Sequence, residues 1–167
     1  DGAVCGEVTV VATDSSASEE GPDSGAFTLV SPAAATNGAL AVNVVITGTA
    51  SNGLDYTALS NRVVIPAGAA SLPITVTPVP DVTNEGGETV VMTLAAGNYA
   101  MGAGSSCATV TITDAYAGPW HVAESGSDAN GGRSWTNALL TISNALARVM
   151  LPGQTVLVSN GVYSLWA

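Results

Sequence analysis

The chain has 167 residues, 47% hydrophobic but only 10% charged, with three Arg, no Lys, one His and a formal net charge of −10. Such a surface repels nucleic acid and anionic lipid, which excludes both as partners, and no apolar run reaches the ~20 residues that a membrane-spanning helix needs. The length suits one domain and part of another, and segments dominated by Val and Thr, with 19 Gly, favour an all-β fold with many turns.

The elements follow in order. Glu7–Thr13 alternates β-formers and reads as a first strand; the polar stretch 14–24 after it holds Glu19, Glu20 and Asp23. Ala26–Val30 is a second strand, with Phe27, the sole Phe, as an expected core residue. Strands are expected at Leu40–Ile46, Arg62–Gly68 and Leu72–Thr77, and Pro73 argues for an edge or a strand start. Between the first two of these, a turn-rich connection carries Asp55. Glu88–Leu94 is the sixth strand and Cys107–Thr113 the seventh, ending at Asp114. Seven short strands with regular turn signals in about 110 residues predict a two-sheet antiparallel sandwich.

Just before the sixth strand, Asp81, Glu85 and Glu88 crowd a short Gly-containing loop with no basic residue nearby. Carboxylates bunched in this way repel one another unless neutralised. Ca²⁺ takes six to eight oxygen ligands and is the natural partner; a solvated acidic loop is the alternative. The start of the strand assigns Glu88 a structural hydrogen bond or a solvated side chain, not a ligand role.

Residues 5–114 resemble a Calx-β domain, the sandwich repeat of sodium–calcium exchangers, integrin β4 and many bacterial surface proteins. The resemblance rests on Ala17–Gly21, Gly48–Ala50 with Gly53–Thr57, Ile65–Gly68, Asp81 with Glu85 and Glu88–Thr89, and Thr111–Asp114. It implies a Greek-key, immunoglobulin-like β-sandwich with Ca²⁺ at one end, held by Glu19, Asp55, Asp81, Glu85 and Asp114. Two departures weaken the site: Pro80 replaces a second acid before the sixth strand, and the acidic run after the seventh shrinks to Asp114-Ala-Tyr116. The resemblance also places the first and seventh strands in one neighbourhood, which implies a Cys5–Cys107 disulfide rather than two separate thiols. Such a bridge would stabilise by about 4 to 5 kcal/mol in the chain-entropy model and indicate an oxidising location.

After a linker at 115–119 the pattern changes. Thr141 can cap a helix over about 141–150 whose apolar stripe is Ile142, Ala145, Leu146, Val149 and Met150, with Pro152-Gly153 as its stop. Short strands are expected at Trp120–Ala123 and Thr155–Val158, with a turn at Asn160-Gly161. Gly126-Ser-Asp128, Gly132 with Ser134-Trp135, Thr141-Ile142 with Ala145-Leu146, and Pro152–Val156 with Gly161–Tyr163 resemble the entrance to a pectate-lyase-like right-handed parallel β-helix. Only a capping helix and one coil are covered, so no lyase site carries over; Asp128 is expected to stabilise its own Gly-rich turn.

The functional expectation is therefore non-enzymatic. The segments 1–114 and 120–167 together suggest an extracellular structural or adhesive module of a bacterial surface or matrix protein that binds calcium. No signal peptide opens the sequence, so a secreted form would be mature or excised. The alternative is the non-catalytic front of a secreted β-helix polysaccharide-degrading enzyme, with a polysaccharide or cell-surface partner. A single coil leaves Val156, Val158, Val162, Leu165 and Trp166 uncovered beside open strand edges. Further coils or a second copy are expected to cover them, and a head-to-tail contact between copies would build a filament.

Overall fold

The computed structural model describes residues 7–21, 23–31, 38–81, 83, 85–116 and 118–163. It divides into two compact units, the first comprising residues 1–80 and 85–114, the second 81–84 and 115–167. Their described parts are treated separately below.

The first unit is a two-sheet sandwich. One sheet has the order β6-β3-β1-β8 and the other β2-β9-β7-β4-β5. The strands are β1 (Glu7–Asp14), β2 (Ser16–Ser18), β3 (Gly25–Val30), β4 (Leu40–Gly48), β5 (Arg62–Ile65), β6 (Ser71–Val76), β7 (Glu88–Leu94), β8 (Ala100–Met101) and β9 (Cys107–Thr113). The period-2 pattern that marks the strands also builds the core. Val8 and Val10 of β1, Phe27 and Leu29 of β3, Val42 and Val44 of β4, Val90, Met92 and Leu94 of β7, and Val110 and Ile112 of β9 are all buried in one cluster.

Two short strands depart from the expected layout. The register of β1 shifts between Ala12 and Asp14, and the chain then crosses to the other sheet as β2, inside the stretch expected to be loop. There it pairs parallel to β9, as β8 does to β1; the sandwich is antiparallel except at these two edges. The crossing is tight enough that a side chain on Gly25 would press against Val110 Cγ1 and the Asp14 carbonyl. Pro73 lies in β6, at the edge of its sheet, as expected of a residue that cannot donate to a ladder.

In the second unit, β10 (Trp120–Val122) pairs parallel with β11 (Val156–Val158), and Val122 also bridges Leu139 in parallel. Among the described residues a 3-10 turn (Trp135–Asn137) and one helix, α1 (Ile142–Arg148), complete it. Trp120, Val122, Leu139 and Ala145 form its core, with Tyr116, Ile142, Val149, Val156 and Tyr163 packed against it. Tyr116, expected in the linker, therefore packs with this core.

The helix is shorter than its apolar stripe. Thr141 caps it by accepting from Asn144 N, but it ends at Arg148, and Leu146 and Met150 stay exposed. Asp128 does more than brace its own turn. Its carboxylate accepts from Leu140 N (3.0 Å), Thr141 N (2.9 Å) and Thr141 Oγ1 (2.9 Å). Desolvation acts to raise its pKa, but the Thr141 and Leu140 donors, with Arg148 nearby, outweigh it and hold the group below its ordinary value.

Candidate metal centre

Three carboxylates of the first unit converge: Asp55, Glu85 and Glu88 each offer an oxygen, all within 4.8 Å of one another. Each is placed by a different local device.

Asp55 sits on the connection after β4. Gly48 ends that strand at φ 131°, where a Cβ would collide with the Thr89 carbonyl, so only glycine lets the two backbones approach. Thr49 and Thr89 then bond reciprocally: Thr89 N donates to Thr49 Oγ1 (2.9 Å) and Thr49 N to Thr89 Oγ1 (3.2 Å). Ala50 N donates to Thr89 O (3.1 Å). These bonds tie the root of the loop to the residue next to Glu88. The loop closes on itself as Leu54 N and Asp55 N donate to Ser51 O, while Ser51 N donates back to the Asp55 carboxylate. Buried Tyr56 anchors it from within, and Val79 N donates to Asp55 O (2.9 Å).

Glu85 is set by Asp114, whose Oδ2 accepts from Glu85 N (2.7 Å) and Gly86 N (2.6 Å). Asp114 follows β9 and thereby fixes the loop that enters β7.

Glu88 follows from strand parity. It shares the inward-facing register of Val90, Met92 and Leu94 and is only 8% exposed. Its Oε2 is buried with no hydrogen-bond partner among the described residues. Burial, then repulsion from Asp55, Glu85 and Asp114, together with a hydrogen bond to Asp55, pushes its pKa from the ordinary 4.5 up to about 6. Tyr56 is likewise raised, by burial and then by Asp55.

The expected ligands fall at different places in the structure. Asp55 and Glu85 belong to the cluster, and Glu88, expected to be structural or solvated, joins them. Asp114 acts through its hydrogen bonds to the loop. Asp81 is exposed, groups with the second unit, and accepts from Thr83 N (2.6 Å) within its own turn. Glu19 is buried on the loop after β2, where its N–H donates to Thr113 O (3.0 Å), and lies outside the trio. The missed signal was available in the sequence: Glu88 is two residues before Val90, so an inward Val90 carries Glu88 inward too.

The trio fits a hard cation. Oxygens bound to one Ca²⁺ at about 2.3–2.6 Å lie at most about 5 Å apart. A buried acid with one oxygen unpaired and acidic neighbours around it is a cost that a bound cation removes. Bound through one oxygen each, three carboxylates supply three of the six to eight oxygens Ca²⁺ takes, leaving positions for second carboxylate oxygens, carbonyls and water.

Two other expectations meet the structure only in part. Cys5 of the expected disulfide lies outside the described residues; Cys107 is exposed, has no disulfide partner among the described residues, and its sulfur accepts from Thr93 Oγ1 (3.6 Å). Of the residues expected to lie uncovered, Val156 instead packs on the second core, Val158 and Val162 are exposed, and Leu165 and Trp166 lie outside the described residues.

No protein-family model matches the sequence, and no curated protein matches it. Solved structures do. The calcium binding domain CBD12 of CALX1.1 aligns at 19% identity and TM-score 0.49, over 67% of this chain and 47% of that one. CBD12 from CALX1.2 aligns at 17% identity and TM-score 0.51, over 72% and 50%. The apo-form Calx CBD1 domain aligns at 17% identity and TM-score 0.44, over 64% and 98%. This chain thus spans about half the length of the two CBD12 structures. The likeness to CBD12 from CALX1.2 is one of fold: the first unit is a Calx-β-like sandwich.

Proposed function

We propose that the first unit binds one hard divalent cation, Ca²⁺ above all, through Asp55, Glu85 and Glu88, and that the chain serves as an extracellular structural or adhesive module rigidified by that ion. The observation that carries the cation reading is the buried, unpartnered Glu88 Oε2 inside a trio of carboxylates within 4.8 Å. Such a constellation is destabilising alone and stabilising around a cation. The place outside the cell rests on the resemblance of residues 5–114 to surface-protein repeats. No catalytic role is assigned: His121, the lone His, is buried, with Nδ1 3.3 Å from Gly132 O and its ring against Trp135.

A second reading, the front of a β-helix protein, draws support from the parallel ladder of the second unit. Thr155 O and Ser159 N bond to β10, so the alternate residues Val156 and Val158 direct their backbone groups to the opposite side. That edge suits a further parallel strand, from a following coil or from a second copy, the latter being a route to filaments.

The cation reading is tested by thermal unfolding in millimolar Ca²⁺ and in chelator. Binding confined to the folded state is expected to add about 2.7 kcal/mol when Ca²⁺ stands at a hundred times its dissociation constant. Identical midpoints in the two conditions would overturn it.

A further inference from the structure

The second unit also holds an aromatic surface that its own core leaves unused. Trp135 opens the 3-10 turn and remains 50% exposed, whereas Trp120 of the same unit is buried. The indole is nevertheless held in place. The buried His121 ring meets it edge to face, with centroids 4.7 Å apart and an interplanar angle of 76°. His121 is fixed in turn by Gly132 O, which accepts from its backbone N–H at 2.8 Å and lies 3.3 Å from its Nδ1. Leu139 N donates to the His121 carbonyl at 2.8 Å. The orientation of the exposed ring is thus set from beneath by a buried ring with fixed backbone. A rigid aromatic surface of this kind loses little freedom on binding.

The flanking residues indicate what would lie on it. Arg133, Thr136 and Asn137 are exposed and Ser134 is half-buried, so the indole is bordered along the chain by hydrogen-bonding groups. The hot spots of protein interfaces sit instead in well-packed, desolvated centres surrounded by further contacts that exclude water. A flat apolar face with a polar border matches a ligand of the same build. A pyranose ring, with C–H groups on its face and hydroxyls at its rim, is such a ligand. We propose that Trp135 is a stacking platform for a pyranose unit of a polysaccharide, with Asn137 and the Ser134 Oγ–Thr136 Oγ1 pair, 3.1 Å apart, beside it in the chain to meet the sugar hydroxyls. This site is separate from the cation cluster and does not rest on it.

The test is affinity electrophoresis of the full 167-residue chain through gels containing xylan, hydroxyethyl cellulose or polygalacturonate, with chelator throughout so that the cation reading plays no part. At least one polymer is expected to retard the protein; retardation by xylan or hydroxyethyl cellulose assigns a neutral sugar, and by polygalacturonate an acidic one. Trp135→Ala is expected to weaken that binding tenfold or more, and Trp135→Phe, which keeps an aromatic face, to recover part of it while controlling for folding. Mobility unchanged by all three polymers overturns the proposal. So does retardation that Trp135→Ala leaves intact, or binding of a proline-rich peptide in place of every polymer.

Discussion

Glu88→Gln is expected to act with opposite signs on the carboxylate cluster in chelator and in Ca²⁺. Without cation, the variant should be more stable than the parent at pH 7. The Glu88 carboxyl has a folded-state pKa of about 6, raised from an ordinary 4.5 by burial and by its acidic neighbours. A raised acid favours the folded state where it is protonated, below about pH 4.5. That contribution is lost as pH climbs from 4.5 through 6, and above 6 the ionised group costs about 2 kcal/mol. Gln removes the charge, so the cost should vanish and the loss of stability between pH 4.5 and 6 should flatten. With cation the order reverses, because the parent gains a ligand that Gln cannot match as an anion. Urea unfolding at pH 4.5, 6 and 7.5, in chelator and in Ca²⁺, checks both signs. A variant that is less stable than the parent in chelator at pH 7.5 would show that Glu88 is a satisfied structural acid.

Phe27→Ala is expected to cost about 3–5 kcal/mol. Phe27 is fully buried in β3, which lies between β1 and β6, and it packs in the cluster with Val10, Val44 and Met92. Removing the ring leaves a cavity that close-packed β-branched neighbours, stiff at χ1, cannot collapse to fill. By contrast Val162→Ala, at a residue 87% exposed, should stay within about 0.5 kcal/mol. Calorimetry of both variants in chelator separates these expectations. A Phe27→Ala loss below about 1 kcal/mol would mean that the core is not packed as described.

Much of the first unit was legible because its strands bury one face, and burial of one face writes itself into the sequence with period 2. β7 is the clearest case, alternating from Glu88 to Leu94. What escaped was local geometry without a periodic signature. β2 is three residues long and forms only because β1 turns a corner into the other sheet. α1 has a five-residue apolar stripe in sequence, yet Val149 takes extended backbone and ends the helix at Arg148, and both Leu146, within the helix, and Met150, beyond it, stay exposed.

The candidate site divides along the same line. Asp55 and Glu85 are recognisable because each sits on a loop with a motif around it. A charged residue at a strand start is ordinarily solvated, whereas Glu88 is held at the inward parity of a core strand. Asp114 was recognised as important, but its carboxylate is engaged by two backbone amides, so it shapes the loop. Asp81 has the spacing of a ligand but closes its own turn on Thr83.

The most direct test of a cation held by Asp55, Glu85 and Glu88 is a crystal of the protein soaked in Tb³⁺, a hard oxygen-seeking ion that scatters anomalously and stands in for Ca²⁺. One anomalous peak is expected within bonding distance of an oxygen from each of the three carboxylates, with Glu88 Oε2 among them, and excess Ca²⁺ should displace it. A map without a peak there, or with the ion bound only through Asp81 and Glu19, would contradict the account.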